Sequence, residues 1–224
     1  MDQEYGLKET EFTVIAPDLP GYGRTELISD ELKPCEPTLD YFKLCATICA
    51  KLMGQLGHRR YSVGGWNDGA RVAALLAIEC QSRVNALILW GFSPVMDKET
   101  CWATSKTRDT SIWEPSILKL YFDVYGEQNF PDLWRHYVDF VVQALELPDQ
   151  FDIRNELHKI KCPTLVLHGS HDSIINYDRH VKPIEMQIYD SQVQQFKGLA
   201  HNIHQADPVQ FNSVMARFVS SVVA

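Results

Sequence analysis

Strand-like and helix-like segments alternate along most of this chain. Short runs of β-branched and aromatic residues, typical of buried strands, are followed by stretches with apolar residues at helical spacing. This alternation predicts a parallel sheet, because a helix must carry the chain back to the start of each parallel strand. The predicted strands cover residues 11–16, 61–64, 86–90, 164–168 and 186–189, with a weaker sixth at 192–196. The predicted fold class is therefore α/β.

Three helices are predicted beside these strands. Thr38 has the position of an N-cap and Gly57 that of a C-cap glycine, so the first helix should run to about Leu56. A second helix is expected over residues 69–80, and a C-terminal helix should begin at residue 207 or 208.

Residues 92–155 break the pattern, since they contain aromatic, helix-like stretches and no strand signal. We predict a helical lid there, between the two halves of the core at 1–91 and 156–224.

Composition excludes several function classes. With 21 basic and 29 acidic residues the net charge is −8, which argues against a nucleic-acid surface. No apolar run reaches the roughly 18 residues needed to cross a bilayer, so no membrane partner is predicted. The acidic N-terminus is unlike a secretory signal, and the six cysteines are expected to be reduced. We therefore expect a cytoplasmic protein, or a mitochondrial one if a targeting segment is missing.

The most informative segment joins the strand at residue 61 to the following helix. It reads Gly65-Trp66-Asn67-Asp68-Gly69, the G-x-S-x-G spacing of a nucleophile elbow with Asn67 at the centre. Glycines two before and two after the centre allow a tight turn, and the helix N-terminus can stabilise an oxyanion. Alone, the pattern is also compatible with an ordinary turn.

Two later residues favour the elbow interpretation. Asp172 lies in the loop after the strand at 164–168, and His201 lies in a loop before the last helix. The chain order of elbow, Asp and His is that of the α/β-hydrolase triad. His168, His171 and His204 lie nearby in sequence, but in such a fold they would sit on different elements, so a metal site is not favoured.

With these motifs the chain resembles the α/β-hydrolase superfamily, and within it the valacyclovir hydrolase (biphenyl hydrolase-like) family. The matching segments are FTVIAPDLPGYG (12–23), GGWNDG (64–69), LILWG (87–91), VLHGSHD (166–172) and HNIH (201–204). The resemblance implies hydrolysis of α-amino acid esters without a cofactor, with Asp172 as triad acid and His201 as general base. It implies that Asp68 binds the α-amino group of a small ester or amine ligand, and Trp66 is a further predicted substrate contact. Asp68 is equally compatible with a first-turn acid favoured by the helix dipole.

Two departures weaken the enzyme prediction. Asn67 offers no proton that His201 could usefully remove, and losing the nucleophile of a triad costs a factor of about 10⁶ in turnover. Deamidation to aspartate, the nucleophile of related dehalogenases and epoxide hydrolases, is a conceivable rescue. The fold also requires a strand before Phe12, and residues 1–11 offer none. We expect an N-terminally truncated isoform, gene model or fragment, rather than a compact variant.

Two functional classes therefore remain open. One is a hydrolase of α-amino acid esters or related small esters. The other is a catalytically silent relative that binds an amine-bearing ligand, or a protein partner, through Asp68 and the lid. A non-functional truncated product is a third alternative.

Overall fold

A computed structural model of the chain describes residues 7, 11–25, 38–146 and 151–223. The chain divides into two compact units, one made of 1–17, 42–94 and 153–224 and the other of 18–41 and 95–152. The strands are β1 (Tyr61–Trp66), β2 (Val84–Trp90), β3 (Thr164–Gly169) and β4 (Ser191–Phe196). The α-helices are α1 (Leu39–Gln55), α2 (Asp68–Glu79), α3 (Lys98–Ser105), α4 (Pro115–Tyr125), α5 (Phe130–Gln143), α6 (Lys182–Gln187), α7 (Ile203–Ala206) and α8 (Pro208–Val223).

The four strands form one parallel sheet in the order β1-β2-β3-β4. Gly65 pairs with Leu89, which pairs with Val166 on the next strand. Because all strands point the same way, their carboxyl ends lie along one edge of the sheet, where α/β proteins place their ligands. The predicted α/β fold with a parallel sheet is confirmed.

Burial on both faces explains the continuous apolar sequence of β2. Alternate residues Ala86, Ile88 and Trp90 pack into a cluster with Phe211 and Phe218 of α8. Side chains alternate along a strand, so Leu87 and Leu89 point to the opposite face, and both are fully buried. Helix α2 packs against β1 and β2.

The predicted helix boundaries agree with the structure to within two residues. The Thr38 hydroxyl accepts a hydrogen bond from the Tyr41 N–H at 3.3 Å, as an N-cap does. Gly57 follows α1 with φ of 84°, the left-handed conformation of a C-cap glycine. Asp207 accepts from the Gln210 N–H at 3.0 Å and caps α8. The described part of residues 92–155 contains helices and no strand, as predicted.

The prediction of a strand over residues 11–16 is wrong. This segment is not part of a strand, and Thr13, Val14 and Ala16 are exposed. A β-branched sequence forms a strand only when a neighbour supplies hydrogen bonds and a packed face. In the part of the chain that the structure describes, no strand pairs with this segment.

The prediction of a strand over residues 186–189 is also wrong, since most of it lies in or just after α6. Ile184 and Ile188 are buried and stand four residues apart, which is a helical spacing rather than an alternating one. Met186 between them and Tyr189 just after them are exposed, and Pro183 lies in the first turn of α6. The weaker sixth candidate, 192–196, is the strand that completes the sheet as β4.

The second unit is held together by aromatic side chains. Phe130 is almost fully buried, stacks on Tyr121 with ring centroids 4.5 Å apart, and meets Trp113 edge-on. The indole N–H groups of Trp113 and Trp134 both donate to the Thr107 carbonyl, at 3.1 and 2.8 Å. Among the described helices, none is both long and apolar enough to span a bilayer.

Leu89→Ala tests the position of the core. Leu89 is fully buried in the second strand, so its truncation should lower the free energy of unfolding by about 2–5 kcal/mol. Leu56→Ala is the matched control, because Leu56 is 52% exposed and its truncation should change stability by about 0.5 kcal/mol or less. Urea unfolding measures both, and equal effects would contradict the described core.

Candidate active site

The chain makes a sharp strand-to-helix turn at Asn67. Its φ is 52° and its ψ −117°, and it is the one non-glycine residue with positive φ among those that the structure describes. The Asn67 N–H donates to the Trp90 carbonyl at 3.1 Å, and its own carbonyl accepts from the Ala70 N–H at 3.1 Å. Its side chain does not cap α2. Such an unfavourable conformation is typical of functional sites.

Gly65 makes this turn sterically feasible. A Cβ atom on Gly65 would lie 2.2 Å from the Gly69 carbonyl oxygen and 2.5 Å from the Ala70 nitrogen. The end of β1 and the start of α2 therefore touch through their backbones. The turn was predicted to need a glycine at position 69 as well, but a Cβ atom there would meet nothing within 4 Å.

Helix α2 begins directly after Asn67. A helix leaves its first four N–H groups without an intrahelical carbonyl, and its N-terminus carries a partial positive charge. Those of Asp68 and Gly69 follow Asn67 directly. In α/β hydrolases the N–H after the central residue is one of the two oxyanion donors.

The structure brings Asp172 and His201 together at the carboxyl end of β3. His201 Nδ1 lies 2.9 Å from Asp172 Oδ2. Asp172 Oδ1 accepts two further hydrogen bonds, from the N–H groups of Ile174 and Ile175, each at 2.9 Å. The carboxylate is thereby fixed in place, with a side chain only 1% exposed.

Asp172 is held in its ionised form. Burial raises the pKa of its carboxyl, but the hydrogen bond and charge of His201 lower it, as do the N–H donors of Ile175 and Ile174. The net result is a pKa below the ordinary value of 3.8. The Nε2 atom of His201 is buried and has no hydrogen-bond partner. A general base needs its proton-accepting nitrogen directed at the reacting group, so this atom is available for that role.

Two backbone contacts join the loop that carries Asp172 to the loop that carries His201. The His171 N–H donates to the Leu199 carbonyl at 2.8 Å, and the Ser170 N–H donates to the Phe196 carbonyl at 3.0 Å. The loops approach most closely at Gly169, where a Cβ atom would lie 2.2 Å from the Ala200 carbonyl oxygen. Gly169 was not among the predicted site residues, although its position at the end of a buried strand was a signal.

Trp66 connects the elbow to the histidine loop. Its ring lies 5.3 Å from the ring of His201 and 4.9 Å from that of His204. A Cβ atom on Gly91 would lie within 2.8 Å of both Trp66 and His201, so the end of β2 also needs a glycine. Trp66 was predicted to bind substrate, and in this structure it packs against His201.

The remaining histidines have separate environments. His204 Nδ1 accepts a hydrogen bond from the Trp90 indole N–H at 3.1 Å. His168 is buried against Tyr177, and burial lowers its pKa despite the opposing charge of Asp172. No group of three or more potential metal ligands occurs in the described ranges of the chain.

Asp68 lies beside the buried cation of Arg71, and this pairing was not predicted from the sequence. Its Oδ1 atom is 3.9 Å from Nε of Arg71, one turn along α2. Asp68 is partly exposed, whereas Arg71 is only 2% exposed. Any binding of an amine by Asp68 therefore competes with this ion pair.

Comparison with known proteins agrees with this geometry. The sequence pattern of the alpha/beta hydrolase family matches residues 4–214. The chain belongs to the alpha/beta hydrolase family. It is 27% identical over 208 residues to the serine hydrolase BPHL of Homo sapiens, covering 93% of this chain and 69% of that protein. The Mus musculus protein of the same name is 25% identical over 217 residues, covering 97% and 72%.

Solved structures agree on the fold of this alpha/beta hydrolase. An esterase from Exiguobacterium antarcticum superposes with a TM-score of 0.69 at 20% identity, covering 98% of this chain and 85% of that one. A thermophilic esterase from Thermogutta terrifontis gives 0.68 at 22% identity, covering 99% and 84%.

Gly169→Ala tests the contact between the two loops. The added methyl group collides with the Ala200 carbonyl, so stability should fall by about 1–3 kcal/mol and the His201 imidazole signals should shift in NMR spectra. The control is Gly54→Ala on α1, where the new Cβ lies 3.6 Å from Arg83. This change should be neutral or stabilise by up to about 1 kcal/mol. Unchanged His201 signals in Gly169→Ala would contradict the contact.

Acid titration tests the state of Asp172. Because its folded pKa lies below the ordinary value of 3.8, its contribution to stability is complete above that pH. The contribution is lost as the pH falls through the lower, folded pKa. The free energy of unfolding should therefore fall less steeply with acid in Asp172→Asn than in the unmodified chain. Denaturant titrations below about pH 5 measure this slope. Asp178→Asn, at an exposed aspartate, should follow the unmodified chain. Identical slopes for all three proteins would contradict the burial of an ionised Asp172.

Proposed function

We propose that this chain is a binding protein for small carboxylic esters, built on the serine-hydrolase site but unable to form an acyl-enzyme. The observation that carries the proposal is the 2.9 Å contact between His201 and Asp172 at the same end of the sheet as the Asn67 turn. The general base and its orienting acid have the arrangement of a hydrolase triad. The similarity to serine hydrolase BPHL supports the hydrolase site, and the resemblance to the valacyclovir hydrolase family supports the ester class.

Asn67 prevents the covalent step for a chemical reason. A serine hydroxyl becomes a nucleophile when a histidine accepts its proton. The lone pair of an amide nitrogen is delocalised into its carbonyl, so His201 cannot activate it in the same way. Removing the nucleophile of a triad costs a factor of about 10⁶, and the residual catalysis comes from binding and the oxyanion hole. Only activation of a water molecule by His201 would be left, without a covalent intermediate.

The alternative is a hydrolase that acts through a modified residue 67. Deamidation would convert Asn67 to aspartate, whose carboxylate can attack an alkyl carbon, displace a halide or open an epoxide, and so form an ester intermediate. The strained backbone at Asn67 and the bulky Asp68 that follows oppose the intramolecular attack that deamidation requires. Intact-protein mass would increase by about one dalton upon deamidation, so the two states are directly distinguishable.

Asn67→Ser is the decisive variant. If the acid, base and helix N-terminus form a working site, a serine hydroxyl at this position should be activated and should react with a fluorophosphonate. We expect a covalent adduct at residue 67 and ester turnover at least about 10³-fold above that of the unmodified chain.

Two controls complete this experiment. Asn67→Ala removes the amide without supplying a nucleophile, so it should remain unlabelled. Adding His201→Ala to Asn67→Ser should abolish the gained reactivity, since the hydroxyl then lacks its base. An adduct on the unmodified chain would overturn the proposal, and an inert Asn67→Ser variant would show that the rest of the site is not a working triad.

A further inference from the structure

Arg71 is an unusual residue to find inside α2. Its guanidinium lies between the rings of Phe42 and Phe92, at 5.4 and 5.8 Å from their centroids. It donates hydrogen bonds to the carbonyls of Ser93 at 3.0 Å and Pro94 at 3.5 Å. Arginine keeps its charge under all physiological conditions, so this is a permanent positive charge in a buried position.

This charge lies on the same side of α2 as Asp68. Residues three apart in a helix are neighbours on its surface, and the Arg71 Nε to Asp68 Oδ1 distance of 3.9 Å places the two in an ion pair. Coulomb interactions are stronger near buried groups than in water, because less solvent screens them. The aromatic rings and carbonyls fix the guanidinium, so it cannot move aside when a ligand arrives.

We propose that Arg71 determines ligand specificity by neutralising Asp68, so that the site accepts esters with an uncharged acyl group. An α-ammonium group brought to Asp68 would also meet the fixed positive charge of Arg71. The attraction and the repulsion largely cancel, and the ammonium still loses its hydration. An acyl group without charge has no such cost. This inference rests on the proposed function, and it replaces amine recognition by Asp68 with selection for neutral esters.

Binding of two matched esters to the unmodified chain tests the proposal. L-Valine ethyl ester and ethyl isovalerate differ by the α-amino group, which is protonated at about pH 6. Isothermal titration should give dissociation constants within about threefold of each other, or tighter binding of ethyl isovalerate. Asp68→Asn removes the attraction and leaves the charge of Arg71, so it should shift this ratio further towards ethyl isovalerate. A preference of tenfold or more for the amino ester that Asp68→Asn abolishes would overturn the proposal.

Variants at Arg71 should change the ratio of the two dissociation constants if the proposal holds. Arg71→Met retains the length of the side chain without its charge, and should shift the ratio at least tenfold towards the amino ester. Arg71→Lys, which keeps the charge, should leave the ratio near that of the unmodified chain. If Arg71→Met does not fold, the ratio of the unmodified chain decides alone, because near-equal binding is expected only if Arg71 offsets the charge of Asp68. Failure of both esters to bind the unmodified chain would instead overturn the proposed function and this inference with it, whereas a strong amine preference would overturn only this inference.

Discussion

The candidate site depends on close backbone contacts at the carboxyl end of the sheet. At Gly65 the end of β1 touches the start of α2, and at Gly169 the end of β3 touches the loop before His201. Neither contact leaves room for a Cβ atom, so the sequence at these two positions is dictated by packing. The first contact allows the tight turn at Asn67, and the second holds the loop of His201 against the end of β3, beside Asp172. The positions of the polar side chains in this site therefore depend on backbone packing at Gly65 and Gly169.

The side chains then add the hydrogen-bonded pair of Asp172 and His201, which persists although the carboxylate is buried. Burying Asp172 is unfavourable, and its three hydrogen bonds offset that penalty and keep it ionised. Asn67 occupies the position where such a pair would normally activate a hydroxyl. The same helix carries Arg71, a second buried charge beside Asp68. This end of the sheet therefore carries the hydrogen-bonded pair of Asp172 and His201 together with Asn67 at the turn, and we propose that it binds esters without forming a covalent intermediate.

Much of this arrangement could be predicted from the sequence, because it depends on local patterns. The apolar run at 86–90 and the turn around Asn67 indicated a parallel sheet and a nucleophile elbow. The strand at 186–189 was predicted wrongly because four residues cannot distinguish helical from alternating burial, and Ile188 belongs to a helical face. The strand at 11–16 failed because strand formation depends on a partner elsewhere in the chain. The Arg71–Asp68 pair was missed since an arginine in a helix is usually exposed, and only packing shows otherwise.

We propose that the site keeps its base and acid but cannot carry a covalent acyl group. Rapid-quench mass spectrometry of the unmodified chain, mixed with excess p-nitrophenyl acetate, would detect such a group. The acetylated protein would be heavier by about 42 daltons, and peptide mapping would locate the group. Because His201 cannot activate an amide nitrogen, we expect no acetyl group on residue 67 and no stoichiometric burst of p-nitrophenol. A burst of one equivalent, with the acetyl group on residue 67, would contradict it.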